Sequence, residues 1–374
     1  MTEPEPLQQV DRTWVLVGRR KLSYFSGCDY FRLASHPKVI AALREGVKRY
    51  GLNVAASRLT SGNHKLYGEL ENRLKTFFLA DDALLVSSGY MTNLVVAQAL
   101  AGSFSHALMD EASHPSLADA SYFLDCPVLK FKSRDAGDLA RAIERCGPQS
   151  RLIVLTDGMF SRDGSAAPLA DYLKVLPGDG WVLVDDAHGA GVLGQTGRGT
   201  LEHTGVDRRR IIQTVTLSKA FGAFGGAILG TPGLRRKILE RSRMFVGSTP
   251  LPLPLANAAL QGVYILQNGA ALRKRLATNS ACVKRRLRAA GLPSPETPGP
   301  IVPVFPRTSK AAAGLKTALL EAGIFPPFLK YPGGPASGYF RFVFSSEHTS
   351  NQLDRLVSVL AHSLDPQSAG LAAH

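Results

Sequence analysis

Short apolar runs rich in β-branched residues recur through the first part of the chain, each bounded by polar or turn-forming positions. They predict strands over Ala83–Ser88, His106–Asp110, Val128–Lys132, Leu152–Asp157, Trp181–Asp186, Ile211–Leu217 and Gly226–Gly230. Between them, Met91–Ala101, Pro115–Phe123, Ala136–Cys146 and Leu169–Leu176 carry apolar residues at helical spacing. This alternation predicts an α/β fold: a mostly parallel, seven-stranded sheet with helices on both faces. Ligands of such sheets bind beyond the carboxyl ends of the strands. The residues just past each run are therefore where chemistry is sought.

Further along, Leu253 to Ala290 reads as one long helical stretch, broken by Gly291-Leu292-Pro293-Ser294-Pro295 and Pro298-Gly299-Pro300. A strand (Ile301–Phe305), a helix (Lys310–Ala322), a strand (Tyr339–Phe344) and an amphipathic helix (Ser350–Ser363) follow and predict a smaller C-terminal α/β domain. At 374 residues the chain exceeds what one core holds. The expected division is an N-terminal segment (1–45), a large domain (46–265) and a small C-terminal domain (266–374). Residues Gln367 to His374 are expected to fray.

Composition narrows the classes. The apolar content is 45%, ordinary for a globular chain. No apolar stretch reaches about 18 residues, so no membrane-spanning helix is expected. The most apolar candidate, Ala83–Ala101, is interrupted by Ser87, Ser88, Thr92, Asn93 and Gln98. Met1–Val10 is acidic and lacks the layout of a secretory signal. The four cysteines, Cys28, Cys126, Cys146 and Cys282, form no CxxC pair. Neither a metal site nor a redox dithiol is expected, and a reducing, cytoplasmic setting fits. The net charge of +14 is dispersed. Its tightest clusters are Arg208–Arg210, Arg235–Lys237 and Lys284–Arg286, and the two on helices read as solvated faces. No aromatics interleave with them as in a single-strand binder. The charge suits a phosphate-rich small cosubstrate better than nucleic acid or a membrane.

Four strand ends carry candidate chemistry. Trp181-Val-Leu-Val-Asp185-Asp186-Ala-His188 places two carboxylates at the end of a buried run, where a cationic partner such as a protonated pyridine nitrogen would offset their burial. Capping of a turn is the alternative. His188 is close enough in sequence to contact the same ligand. Thr216-Leu-Ser218-Lys219-Ala-Phe221-Gly222 puts a lysine in an apolar, glycine-rich loop. Desolvation there would make its amine nucleophilic toward aldehydes; a lysine in a flexible surface loop is the alternative. Hydroxyls of Thr216 and Ser218 can donate to a phosphate. Ser88-Gly89-Tyr90 at a strand-to-helix junction can offer backbone N–H groups and a helix dipole to an anion. His114 can stack on an aromatic cofactor; a capping or core residue is the alternative. Gly189-Ala-Gly191-Val-Leu-Gly194 matches a dinucleotide fingerprint, but the chain runs on as a glycine-rich loop where that fingerprint needs a helix. Together these elements supply the protein parts of a pyridoxal 5′-phosphate (PLP) site.

The motifs VDDAHGAGVLGQTGRG (184–199), TDGMFSRDGSAAPLA (156–170), TLSKAFG (216–222), ASRLTSGNHKLYGELE (56–71) and FRFVFSSEHT (340–349) stand in order along nearly the whole chain. On these the sequence resembles the α-oxoamine synthases, fold type I PLP-dependent transferases. The resemblance implies that Lys219 binds the cofactor aldehyde, Asp185 pairs with the ring nitrogen, His188 contacts the ring's phenolic oxygen and His114 stacks on the ring. It implies Ser161 near the cofactor, and Gly89, Tyr90 and Thr216 at the phosphate. Ser248 and Thr249 are implied contributors from a neighbouring subunit in a homodimer with shared active sites. Arg341 is implied to hold the amino acid's carboxylate.

The reaction implied is decarboxylative condensation of a small amino acid with an acyl-CoA (or acyl-carrier) thioester to an α-amino ketone. Alanine is favoured, as in the 8-amino-7-oxononanoate synthase branch. A glycine-using C-acetyltransferase-like ligase and a PLP aminotransferase on the same fold are the alternatives. Four positions depart from the family pattern. Cys28 replaces an asparagine that helps position the amino acid, Arg32 replaces a glycine, Asp157 stands for glutamate and Tyr67 for a common histidine. All four are expected on the substrate side rather than the PLP side.

Overall fold

The computed structural model describes residues 6–330, 337–364 and 369–370. Its chain gathers into two compact bodies. The larger comprises His36–Phe160 with Ala166–Ala270, and the smaller Met1–Ser35, Ser161–Ser165 and Ala271–His374.

The chain opens in the smaller body with an antiparallel meander of β1 (Gln8–Gln9), β2 (Trp14–Val17) and β3 (Arg20–Ser23). The larger body holds seven strands: β4 (Asp82–Val86), β5 (His106–Asp110), β6 (Val128–Phe131), β7 (Leu152–Asp157), β8 (Trp181–Asp185), β9 (Ile211–Thr216) and β10 (Gly226–Gly230). They order as β4-β10-β9-β8-β7-β5-β6. The pairs from β9 to β6 are parallel, and β10 runs antiparallel to both of its neighbours.

Every residue of β7 and β9 is buried, the signature of strands covered on both faces. Alternate residues feed different cores. Ile153, Leu155 and Leu183 join Val95 and Ile228 in one, while Val154, Val182 and Val184 join Phe131 and Tyr172 in the other. Helices α1 (Pro37–Tyr50), α2 (Lys65–Phe78), α3 (Gly89–Ala99), α4 (Pro115–Ser121), α5 (Ala136–Cys146) and α6 (Leu169–Val175) belong to this body.

In the smaller body β11 (Ile301–Pro306) pairs antiparallel with β13 (Tyr339–Val343), flanked by β12 (Phe328–Leu329) and β14 (Ala369–Gly370). The N-terminal meander attaches through Ser23, which donates to the Gly323 carbonyl (2.8 Å) and accepts from Phe325 N–H (2.9 Å). Phe25, Val283, Leu287, Phe340, Phe342 and Leu356 form its core. Thr349 and Gln352 close a capping box at the start of helix Ser350–Ser363.

Three expectations change. The long helical stretch breaks at Asn268-Gly269 into Leu253–Gln267 and Ala270–Ala289. Helices Pro37–Tyr50, Lys65–Phe78, Thr200–Thr204 and Arg243–Val246 were not expected from the apolar pattern. The basic helix faces are not simply solvated: Arg235 pairs with Glu71 and Asp82, and Lys284 is buried. Of the segment expected to fray, Ala369 and Gly370 pair with Pro306 and Phe305, and the rest lies outside the described residues. Among the described residues all four cysteines are free and no helix is long and apolar enough to cross a membrane.

Candidate active site

The strand ends of the larger body converge on one cavity of about 280 Å³. Its lining includes Gly89 and Tyr90 after β4, His114 after β5, Asp185 and His188 after β8, and Thr216 and Lys219 after β9. The parallel sheet thus brings together residues spread over more than a hundred positions of sequence, as open α/β sheets do at their carboxyl edge.

Asp185 ends β8, and its carboxylate is fixed from two sides. Its Oδ2 accepts from Asn93 Nδ2 (2.7 Å) and Ser116 Oγ (3.2 Å), and its Oδ1 accepts from Ala187 N–H (3.1 Å). Asn93 is itself held, its Oδ1 accepting from Thr214 Oγ1 at 2.7 Å. The adjacent Asp186 is fully buried and turned to other partners. It accepts from Thr200 N–H (2.9 Å), Thr200 Oγ1 (2.7 Å) and Gln213 Nε2 (2.6 Å). Burial raises its carboxyl to about 6. Of the two carboxylates, only Asp185 lines the cavity. Asp185 thus both closes its own turn through Ala187 N–H and lines the cavity, while Asp186 ties the strand end to Thr200 and Gln213.

His114 caps a helix and also lines the cavity. It is the N-cap of α4, its Nδ1 accepting from Ser116 N–H at 3.2 Å. Burial lowers its imidazole pKa, opposed by Asp185 and reinforced by Lys219, so the ring is neutral near pH 7. Its backbone N–H donates to Asp157 Oδ1 at 2.8 Å. Asp157 is 3% exposed and lines the same cavity. That corrects the expectation that the departures from the family pattern all avoid the PLP side: the strand register of β7 against β8 sets Asp157 directly beside Asp185.

Gly89, Tyr90 and Thr216 also line the cavity. Ser88 caps α3, its side chain accepting from Met91 N–H. Gly89 sits so close to Thr216 that a Cβ would come within 2.7 Å of Thr216 Cβ and Oγ1. The first N–H groups of an 11-residue helix and a threonine hydroxyl therefore meet at one point. Tyr90 donates to Asp119, and that bond pushes its phenol up to about 12. Lys219 is half-buried and flanked by the fully buried Leu217, Ala220 and Phe221. This is less secluded than the desolvated amine the sequence suggested. The Gly189–Gly194 segment forms turns and no helix, as its continuation into a glycine-rich loop predicts.

The remaining candidates lie elsewhere. Ser161, Cys28 and Arg341 are in the smaller body. Arg341, on β13, donates from Nη1 to the Ser161 carbonyl (3.2 Å) and reaches Cys28 Sγ from Nη2 (3.8 Å). Arg32 takes a left-handed φ of +52°, which explains a glycine at that position in the resembling family. Here the guanidinium offsets that strain by donating to the Tyr24 carbonyl (3.1 Å). Tyr67 is buried and donates to the Leu251 carbonyl at 2.7 Å. Ser248 donates to the Met244 carbonyl, and neither it nor Thr249 lines the cavity. Asn93, Ser116 and the place of Asp157 went unrecognised in the sequence. For Asn93 the available signal was an amide inside an otherwise apolar helix.

The aminotransferase class I and II family model matches residues 27–360. The chain is 37% identical to an 8-amino-7-oxononanoate synthase of Thioalkalivibrio sulfidiphilus over 94% of its length and 90% of that protein. The chain belongs to the α-oxoamine synthase family. A second relative in the family, the 8-amino-7-oxononanoate synthase of Pseudomonas paraeruginosa, is 35% identical over 98% of this chain and 92% of its own. Among solved structures, a serine palmitoyltransferase of S. paucimobilis carrying PLP and myriocin superposes with a TM-score of 0.90 at 26% identity, covering 97% of this chain and 93% of that one.

The cofactor of this α-oxoamine synthase is PLP, and the cavity fits it on its own chemistry. A primary amine, a fixed carboxylate, a neutral imidazole and a helix start beside a hydroxyl are all in its wall. They match, in turn, the aldehyde, ring nitrogen, ring face and phosphate of PLP.

Proposed function

We propose that this enzyme joins a small amino acid, alanine foremost, to the acyl group of a CoA thioester with loss of carbon dioxide, giving an α-amino ketone. The observation that carries the reading is the convergence of Lys219, Asp185, His188 and His114 with the Gly89–Thr216 anion corner in one cavity. The identity to 8-amino-7-oxononanoate synthases over nearly the whole chain supports it.

PLP bound in this cavity supplies an electron sink for bond changes at the amino acid's α-carbon. The chain's residues do the rest. Lys219 offers the amine that holds the cofactor and, once released, a base for the α-proton. Asp185, fixed by Asn93 and Ser116, holds its carboxylate where a ring N–H can donate to it. His114, kept neutral by burial, presents a flat ring and no competing charge. His188 serves the phenolic oxygen, and Gly89, Tyr90 and Thr216 bind the phosphate. In the smaller body Arg341 offers its guanidinium to the amino acid's carboxylate, with Ser161 and Cys28 beside it. Ser248 and Thr249 serve the phosphate of a second copy in a homodimer. A net charge of +14 suits a CoA donor rich in phosphate. Four unbridged cysteines suit the cytoplasm.

The test is a panel of glycine, alanine and serine against short and long acyl-CoAs, read by thiol release and carbon dioxide. Thiol release fastest with alanine supports the reading. Transfer of the amino group to a keto acid without thiol release contradicts it.

A further inference from the structure

Lys284 stands in the basic run Lys284-Arg285-Arg286, yet it is only 5% exposed. Its Nζ donates to the Thr297 carbonyl (2.7 Å), Thr297 Oγ1 (3.0 Å) and the Gly299 carbonyl (2.6 Å). Three acceptors around one nitrogen match the three N–H bonds of an ammonium. All of these groups lie in the smaller body.

The segment they hold has its own hold on another. Thr297 Oγ1 donates to the Asp163 carbonyl at 2.8 Å, and Gly299 N–H donates to the Gly164 carbonyl at 2.9 Å. Gly164 has a φ of +74°, and a Cβ there would stand 2.9 Å from Gly299 Cα, so the two backbones run against each other. Asp163 Oδ1 closes the turn by accepting from Ser165 N–H (2.9 Å) and Oγ (2.6 Å). The same short segment presents the Ser161 carbonyl to Arg341 Nη1 at 3.2 Å.

We propose that Lys284 is a positioning residue for amino acid recognition: through Thr297 and Gly299 it fixes the 161–165 segment, and so the Ser161 carbonyl that orients Arg341. The proposal rests on the carboxylate-holding role given to Arg341 above. A guanidinium presents its donors in a rigid fork, so its value for a carboxylate depends on orientation. Burial lowers the Lys284 ammonium to about 8, with Asp163 opposing and Arg288 reinforcing the shift. Above that pH the nitrogen keeps two N–H bonds for three acceptors, and the segment loosens.

The experiment compares Thr297→Val, Lys284→Met and Lys284→Arg with Arg341→Ala in the PLP-loaded enzyme. Hydrogen exchange over residues 161–165 is followed in parallel with and without PLP. Thr297→Val and Lys284→Met should raise the amino acid KM about 10-fold. The acyl-CoA KM and PLP affinity should hold, and exchange at 161–165 should quicken in both states. The wild-type amino acid KM should rise above about pH 8, and Lys284→Arg, which stays charged, should lose that rise. Should Lys284→Met fail to fold, Thr297→Val decides, because it keeps the lysine and its two backbone acceptors. An unchanged amino acid KM in Thr297→Val, or an equal rise in both KM values, overturns the proposal. If Arg341→Ala itself leaves the amino acid KM unchanged, the role of Arg341 falls instead. Exchange at 161–165 then decides whether Lys284 holds the segment, and unaltered exchange overturns that too.

Discussion

Asp157 and Asp185 are register partners at the carboxyl ends of adjacent parallel strands, β7 and β8. Both line the cofactor cavity. Burial, and then the charge of Asp185, pushes the Asp157 carboxyl well above the usual carboxylate range. Asp157 therefore keeps its proton to higher pH than a free carboxyl does. Because its folded pKa lies above its unfolded one, the folded state binds the extra proton between them. The contribution to stability is therefore full below the ordinary carboxylate range and is lost as pH rises through that window. Asp157→Asn keeps an Oδ1 acceptor for His114 N–H and removes the titration. Denaturant unfolding should show a flatter pH dependence and, at pH 8, stability equal to wild type or higher by about 1 kcal/mol. A lower stability at pH 8 with an unchanged slope would contradict this.

The two aspartates that end β8 should separate cleanly by what they damage. Asp185→Asn keeps the hydrogen bond acceptor for Asn93 but loses the charge, so PLP should stay bound while turnover falls by orders of magnitude. Asp186→Ala strands Thr200 N–H and Thr200 Oγ1 in a fully buried site and takes one of two acceptors from Gln213 Nε2. It should cost about 3 kcal/mol of stability. Near-normal turnover in Asp185→Asn would mean that another carboxylate serves the ring.

Gly89→Ala tests the anion corner. Its Cβ would press on the Thr216 side chain at 2.7 Å, pushing the hydroxyl from the helix start. Titration with PLP, and with inorganic phosphate, should show affinity lowered about 10-fold or more at a temperature where the variant is still folded. Unaltered affinity for both ligands would place the phosphate elsewhere.

Arg341→Ala should raise the KM of the amino acid far more than that of the acyl-CoA, by about 100-fold for a lost charged, bidentate contact. The opposite pattern in steady-state kinetics would place Arg341 on the thioester's path.

Much of this was legible beforehand. Strands β5, β7 and β10 and helices Ala136–Cys146 and Ser350–Ser363 have the boundaries their apolar patterns predict. Buried, β-branched runs between polar turns leave few other solutions. The strand-end residues followed, because a parallel sheet delivers its carboxyl ends to one edge. Helix Pro37–Tyr50 was hidden for a physical reason. It starts at a histidine cap, exposes Val47 and buries Gly46, whose Cβ would come within 2.8 Å of Pro254 Cα. Its close packing needs that missing side chain, beside a buried to half-buried apolar face of Val39, Ala42, Leu43 and Tyr50. Helix Lys65–Phe78 could have been found from Leu66, Leu70, Leu74, Phe77 and Phe78. The antiparallel course of β10 is invisible in a five-residue run, since direction depends on its partners. Asn93 and Ser116 are functional only through Asp185, 92 and 69 positions away, and spacing of that kind is written in the sheet, not in local pattern.

The account stands or falls on the amine of Lys219. Purified protein mixed with PLP and treated with borohydride should retain the cofactor covalently, and mapping of the digested protein should find it on Lys219. Lys219→Ala should lose both the visible absorption and the fixed label. No fixation, or fixation at another lysine, would contradict the assignment of the cavity.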